Sequence, residues 1–194
     1  MEQVAVELQH VNVKLLVKDP GNVDLQAAVP VFHTWIQGQI FDELLLDVAD
    51  YSHVPEGPGV MLIGHEADYA LDNTDGKLGV RYNRKAPLPG SNRDRLQQAA
   101  RSSLKAFERL AQDLKLNFNG WDIEIVINDR LLAPNNEGTR RAAEPDLRYF
   151  LGRLFGGAEY GLTHPPEPRR LFGLTVKAAR EFSIAELVKN LEVA

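Results

Sequence analysis

The chain contains no cysteine. That absence excludes disulfide frameworks, thiolate metal centres and cysteine nucleophiles together, and it fits a reducing compartment. Long apolar runs are missing as well. No stretch approaches the roughly 20 residues a spanning helix requires, and the opening Met1-Glu2-Gln3-Val4-Ala5 lacks the basic-then-apolar order of a secretory leader. The sequence therefore predicts a soluble, cytoplasmic protein with no membrane partner. Bases are missing from one long segment: between Asp19 and Gly76 stand eleven acids and not one Lys or Arg, while the rest of the chain carries all 22 bases. The formal net charge is −5, which argues against general nucleic-acid binding, because such binding rests on Lys and Arg displacing counterions from phosphates.

What is present matches an ordinary globular chain. With 194 residues, 44% hydrophobic and 25% charged, one core is expected without a metal or disulfide staple. Neither an internal repeat nor a long linker interrupts the chain, so residues 1–194 are expected to form a single globular domain.

Val11, Val13, Leu15 and Val17 alternate with polar neighbours as a half-buried strand does, and Asp19-Pro20-Gly21-Asn22 breaks the pattern. A helix is expected from Asp24 to about Gly38, with Pro30 either kinking it or marking its first turn. Strands follow at Leu44 to Val48 and Val60 to Ile63, separated by the turn Pro55-Glu56-Gly57-Pro58-Gly59. Asn73-Thr74-Asp75-Gly76 reads as a hairpin turn that sets Tyr69 opposite Tyr82. Ser91 and Asp94 form a capping-box pattern ahead of the strongest helical periodicity, which runs to Leu114. Trp121 to Ile127 alternates as a strand, and Pro145 to Phe155 reads as a helix closed by Gly156-Gly157. Two strands, Glu159 to Thr163 and Arg170 to Val176, lead to a short helix capped by Ser183. The aromatics Phe32, Trp35, Phe107, Trp121, Phe150 and Phe155 fall on apolar periodicities and are expected in the core.

The fold class is thus α+β. The first 130 residues read β-α-β-β(hairpin)-α-β, the order of a ferredoxin-like split βαβ core, and residues 131–194 form a C-terminal αββα extension. That topology hosts many unrelated functions, so function has to come from side chains.

Phosphate-loop, dinucleotide, zinc-protease, calcium-loop and nucleophile-elbow motifs are all absent; the one Gly-Lys pair, Gly76-Lys77, has Leu71 where the first glycine belongs. No cofactor is predicted. Metal binding is not predicted either: His33, His53, His65 and Glu66 lie in the acidic segment, but no histidine pair shows i,i+4 or H-x-H spacing. The favoured candidate comes from topology. If the Leu78 to Arg84 strand runs antiparallel to Val60 to Ile63, its end lies beside the ends of strand two and of Trp121 to Ile127. Tyr51, His53, Arg84, Lys85, Asn128, Asp129 and Arg130 would then share one rim. Arg and Lys there suit a carboxylate or phosphate, Asn suits orienting it, and His53 or Asp129 suits proton transfer. The sequence therefore predicts a small anionic ligand at a strand-end rim. The bland alternative is that these are turn formers and solvated charges. The competing function is a non-catalytic interaction or homodimerisation module, in which the acidic segment docks on Arg93, Arg95, Arg101, Lys105 and Arg109 of another copy.

Overall fold

A computed structural model describes residues 6–192. Eight strands and four α-helices are present: β1 (Val11–Lys18), α1 (Ala28–Gly38), β2 (Leu45–Tyr51), β3 (Gly59–Gly64), β4 (Ala67–Asp72), β5 (Gly79–Arg84), α2 (Asn92–Leu114), β6 (Asn117–Ile127), α3 (Glu137–Leu154), β7 (Tyr160–Thr163), β8 (Phe172–Ala178) and α4 (Ile184–Glu192). The strands form one antiparallel sheet in the order β2-β3-β4-β5-β1-β6-β8-β7. The protein is α+β, but this order does not support the ferredoxin-like assignment. The connection β5–α2–β6 skips one strand, β1, as a split βαβ requires; the connection β1–α1–β2 skips three. Four consecutive strands, β2 to β5, pair as a meander and carry β2 out to the sheet edge. The C-terminal elements continue the same sheet, since β8 pairs with β6 and β7 with β8.

Local signals explain most elements. Ser91 accepts from the Asp94 amide while Asp94 accepts from the Ser91 amide, which closes the capping box of α2. Asp24 caps a short 3₁₀ turn that leads into α1, so Pro30 sits in the first turn, where its missing N–H costs nothing. One helix starts earlier than expected. Asn136 accepts from the Thr139 amide and caps α3, which places Pro145 inside the helix rather than at its first position. Gly59 has a φ of +67°, and a Cβ there would collide with the Leu71 carbonyl oxygen, so β3 can start this close to β4 only with glycine.

The helices cover one face of the sheet. Val11, Val13, Leu15 and Val17 of β1 and Ile123, Ile125 and Ile127 of β6 point towards them and are buried. Helix α2 lies over β1 and β5 through the small residues Ala99, Ala100, Ser103 and Ala106, which allow Ser103 Oγ to donate to the Val13 carbonyl at 3.1 Å. Helices α3 and α4 pack against α2, and α1 covers β2. An aromatic chain joins α1 to the meander: Trp35 meets Phe41 edge-on at 5.5 Å, Phe41 stacks on Tyr69 at 4.5 Å, and Tyr69 meets Tyr82 at 5.3 Å. Trp121 departs from the expected core set. It is 37% exposed, beside Gly120, whose φ is +79°, in the irregular stretch where the β1–β6 register shifts between Leu15 and Val17. No helix among the described residues is long and apolar enough to cross a membrane.

Charge segregated along the sequence is partly re-mixed in space. Glu66, Asp68, Asp72 and Asp75 of the acidic segment pair with Arg84, Lys85, Lys14 and Arg170. On α2, Arg93 pairs with Asp146 and Arg95 with Glu7.

Candidate functional site

The expected rim does not assemble as a unit, and the reason is direction. Strand β4 lies between β3 and β5, so β5 runs the same way as β3, and β2 runs opposite to both. Tyr51 and His53 therefore lie at the end of the sheet far from Arg84. The C-terminal ends of β5 and β6 do lie at one end, on either side of β1, through the pairs Asn12 with Asn83 and Val11 with Ile127. Their side chains then part. Arg84 turns to the helix-covered side, beside Tyr82 and α2. Lys85 turns back onto the hairpin, pairing with Asp68 and donating to the Gly64 carbonyl, both at 2.6 Å. Asn128 is exposed, its amide donating to the His10 carbonyl, and Asp129 lies 3.7 Å from the His10 ring. Arg130 lines a groove on the uncovered face. The four metal candidates are scattered too. His33 is exposed on α1, His53 lies in the β2–β3 turn, and His65 and Glu66 lie in the β3–β4 turn. Among the described residues no group of three or more His, Asp or Glu is placed to hold a metal ion.

What the strand ends do build is a cleft of about 350 Å³ between α2 and the β2–β5 meander, lined by Phe41, Asp42, Glu43, Glu66, Tyr69 and Arg84 from the sheet side. Helix α2 supplies Gln98, Arg101, Ser102 and Lys105. The aromatic chain forms its apolar wall. Across that wall the Tyr69 hydroxyl donates to Glu43, in a short hydrogen bond, and Ser102 lies within hydrogen-bonding reach of Tyr69. Gln98 donates to the Tyr82 hydroxyl at 2.9 Å. Arg84 is held from three sides: it donates to Glu66 at 2.9 Å and to the Ala86 carbonyl at 2.8 Å, and it bonds Tyr82.

Burial decides the protonation of this cleft. It pushes the Glu43 carboxyl above its ordinary value, outweighing the Tyr69 hydrogen bond and the nearby Arg84 charge, which act the other way. The second oxygen of Glu43, Oε2, is sequestered from solvent with no hydrogen-bond partner among the described residues. Burial also raises both phenols, Tyr69 further through Glu43, so both stay neutral. When Glu43 carries its proton, three cations (Arg84, Arg101 and Lys105) face two carboxylates (Asp42 and Glu66). Among the described residues Arg101 is tied only to the Leu191 carbonyl, and Lys105 makes no ion pair. The arrangement can attract one negative charge and exchange one proton.

A raised carboxyl pKa has a testable sign. The neutral form is the one folding favours, so this contribution is present in full below the unfolded carboxylate value, about 4.3, and is lost as pH rises through the folded value of Glu43. Glu43→Gln keeps an acceptor for Tyr69 and cannot ionise. Its melting temperature relative to the parent chain is therefore expected to rise between pH 4 and pH 7; a constant difference would show that Glu43 ionises at no cost.

Sequence reasoning missed Glu43, Tyr69, Gln98, Ser102 and Lys105 as a set. One signal was available: Gln98, Ser102 and Lys105 recur at i, i+4 and i+7, a polar stripe along one side of α2. Nothing local to Glu43 distinguishes it from the other acids of its segment. Compared with known proteins, the chain matches no family model and none of the curated proteins.

Proposed function

We propose that the protein binds a small molecule bearing one carboxylate or phosphate group in the strand-end cleft, and that Glu43 exchanges a proton with it. Arg84, Arg101 and Lys105 supply the positive charge, and the Phe41–Tyr69 wall accepts the apolar part of the ligand. The observation that carries this reading is the Glu43–Tyr69 pair, a carboxyl whose charged form burial disfavours, with one unfilled hydrogen-bonding position among the described residues and the held guanidinium of Arg84 nearby. Benzoate and phenyl phosphate are suitable probes, since each joins one anionic group to a flat apolar body. Titration followed by amide chemical shifts is expected to show saturable binding by at least one of them, weakened about tenfold by Arg84→Ala and by Lys105→Ala. The affinity should fall as pH rises and Glu43 ionises, and Glu43→Gln should remove that dependence. Binding indifferent to both cation substitutions would sink the reading.

A second reading, a non-catalytic interaction or homodimerisation module, is favoured by the edge strand β2, where Leu46 and Tyr51, with Leu44 just before it, are among the exposed large apolar residues. Light scattering at low and high salt separates the two, since a monomer at every ionic strength removes self-association.

A further inference from the structure

The face of the sheet not covered by helices carries a second concavity, a groove of about 370 Å³ that adjoins a smaller recess of about 80 Å³. Strands β5, β6 and β8 form the floor of the groove, β1 that of the recess, and the 165–171 loop one wall. The deepest charged residue is Asp72, with no exposed surface. It accepts from Lys14 at 2.6 Å, from Arg81 at 2.7 Å, and from the Thr74 hydroxyl and amide at 2.9 and 3.1 Å. Burial alone would raise this carboxyl, yet the Arg81 and Lys14 charges bring it below its ordinary value, so it is an anion.

One carboxylate against two cations leaves a positive charge at the bottom of the groove. The side chain of Lys14 is only 5% exposed. Its cross-strand neighbours are Arg81 on one side and Glu124 on the other, but Glu124 is held by Lys77 at 2.6 Å. A desolvated charge in excess is costly unless something of opposite sign reaches it. The rim repeats the imbalance. Arg170 pairs with Asp75, whereas Arg130 donates only to the Arg169 carbonyl, and neither Arg130 nor Arg169 has a carboxylate partner among the described residues. Six cations (Lys14, Lys77, Arg81, Arg130, Arg169 and Arg170) thus meet three carboxylates (Asp72, Asp75 and Glu124) in a chain whose net charge is −5. In the recess, Asn12 is 4% exposed and its side-chain oxygen has no hydrogen-bond partner among the described residues.

We infer that this groove is a second binding site, taking a small dianion of phosphate or dicarboxylate type. A single negative charge would answer only part of the excess; two charges can satisfy the buried Lys14 with its half-buried neighbour Arg81 and the rim guanidiniums together, and guanidinium forks suit both oxyanions. This site is independent of the strand-end cleft, with which it shares no residue.

Calorimetric titration of the full chain with inorganic pyrophosphate, and separately with succinate, at fixed ionic strength tests the inference. At least one probe is expected to bind saturably, and the probe that binds identifies the oxyanion. Arg130→Ala combined with Arg169→Ala should weaken that binding by at least about tenfold. Both residues are exposed, so the double variant is expected to fold, which its melting curve checks. Arg84→Ala should leave the dianion affinity unchanged. Absence of saturation with both probes up to about 10 mM, or full retention of binding in the double variant, overturns the inference. Loss of dianion binding in Arg84→Ala instead assigns the ligand to the cleft and equally overturns it.

Discussion

Asp72→Ala is expected to destabilise the protein by about 3–5 kcal/mol, the range seen when one partner of a buried ion pair is removed and the other is left behind. Asp72 has no exposed surface and Lys14 almost none, so truncation strands an ammonium group on the sheet whose one remaining hydrogen bond among the described residues is to the Thr74 carbonyl at 3.4 Å. Arg81 loses its anchor in the same step but can turn towards solvent, being 27% exposed on its side chain. The loss should therefore be borne mainly by Lys14. Lys14→Met added to Asp72→Ala is expected to recover a substantial part of the stability, because no uncompensated charge then remains buried. Urea denaturation with an unchanged m value measures both. A loss below about 1 kcal/mol for Asp72→Ala would place the pair among solvent-screened ion pairs and remove the premise of the groove.

The same residue sets a pH response of definite sign. Its carboxyl lies below its ordinary value in the folded protein, so the stabilisation is complete above the unfolded aspartate value, about 3.9, and is lost as pH falls through the folded value. Acid unfolding of the parent chain should thus steepen below about pH 4, and Asp72→Ala should lack that component. Glu43 acts in the opposite direction, since its contribution fades as pH rises. The two substitutions are expected to tilt the stability profile to opposite sides.

Trp35→Ala should also cost about 3–5 kcal/mol, the usual penalty for deleting a buried aromatic side chain. Trp35 is 2% exposed, contacts Phe32 and Phe41, and donates its indole N–H to Asp113 of α2 at 2.8 Å. It is the point where α1 is fastened to α2. Trp35→Phe keeps most of the buried area and loses the hydrogen bond, for which about 1 kcal/mol is expected. The alanine variant should do more than lower stability, because Phe41 loses its edge-on partner and Phe41 is the ring on which Tyr69 stacks. Probe binding in the strand-end cleft should weaken in Trp35→Ala and be largely kept in Trp35→Phe. Only two tryptophans are present, and Trp121 is exposed, so loss of the blue-shifted emission component reports on Trp35 directly. Equal stability of the alanine and phenylalanine variants would mean that the cavity collapses and the aromatic chain carries no structural weight.

Legibility in the sequence followed the range of the interaction concerned. Asn73 to Gly76 places Tyr69 opposite Tyr82 through a turn a few residues long, and both the turn and the pairing were readable from spacing alone. The Ser91–Asp94 and Ser183–Glu186 caps were readable for the same reason, since donor and acceptor lie three residues apart. Asn136 was not read as a cap, because an asparagine before a charged stretch satisfies a turn equally well; its role is settled only when α3 finds α2 to pack on. For the candidate site, positive charge at the end of β5 was legible, but its neighbours were not. Arg84 meets Glu43 because two elements some forty residues apart close on the same end of the sheet.

By itself, the sequence determined which segments are strands and helices, which side of each carries the apolar residues, and how tight the turns are, because these depend on steric preferences and hydrogen bonds within a few residues. Only the tertiary structure decided that β4 lies between β3 and β5, that Arg84 and Arg130 open onto different concavities, and that among many acids Asp68 and Asp72 are buried and Glu43 half-buried. The physical reason is that strand order and burial come from pairings between distant segments, and a carboxylate acquires its character from what those pairings bring beside it.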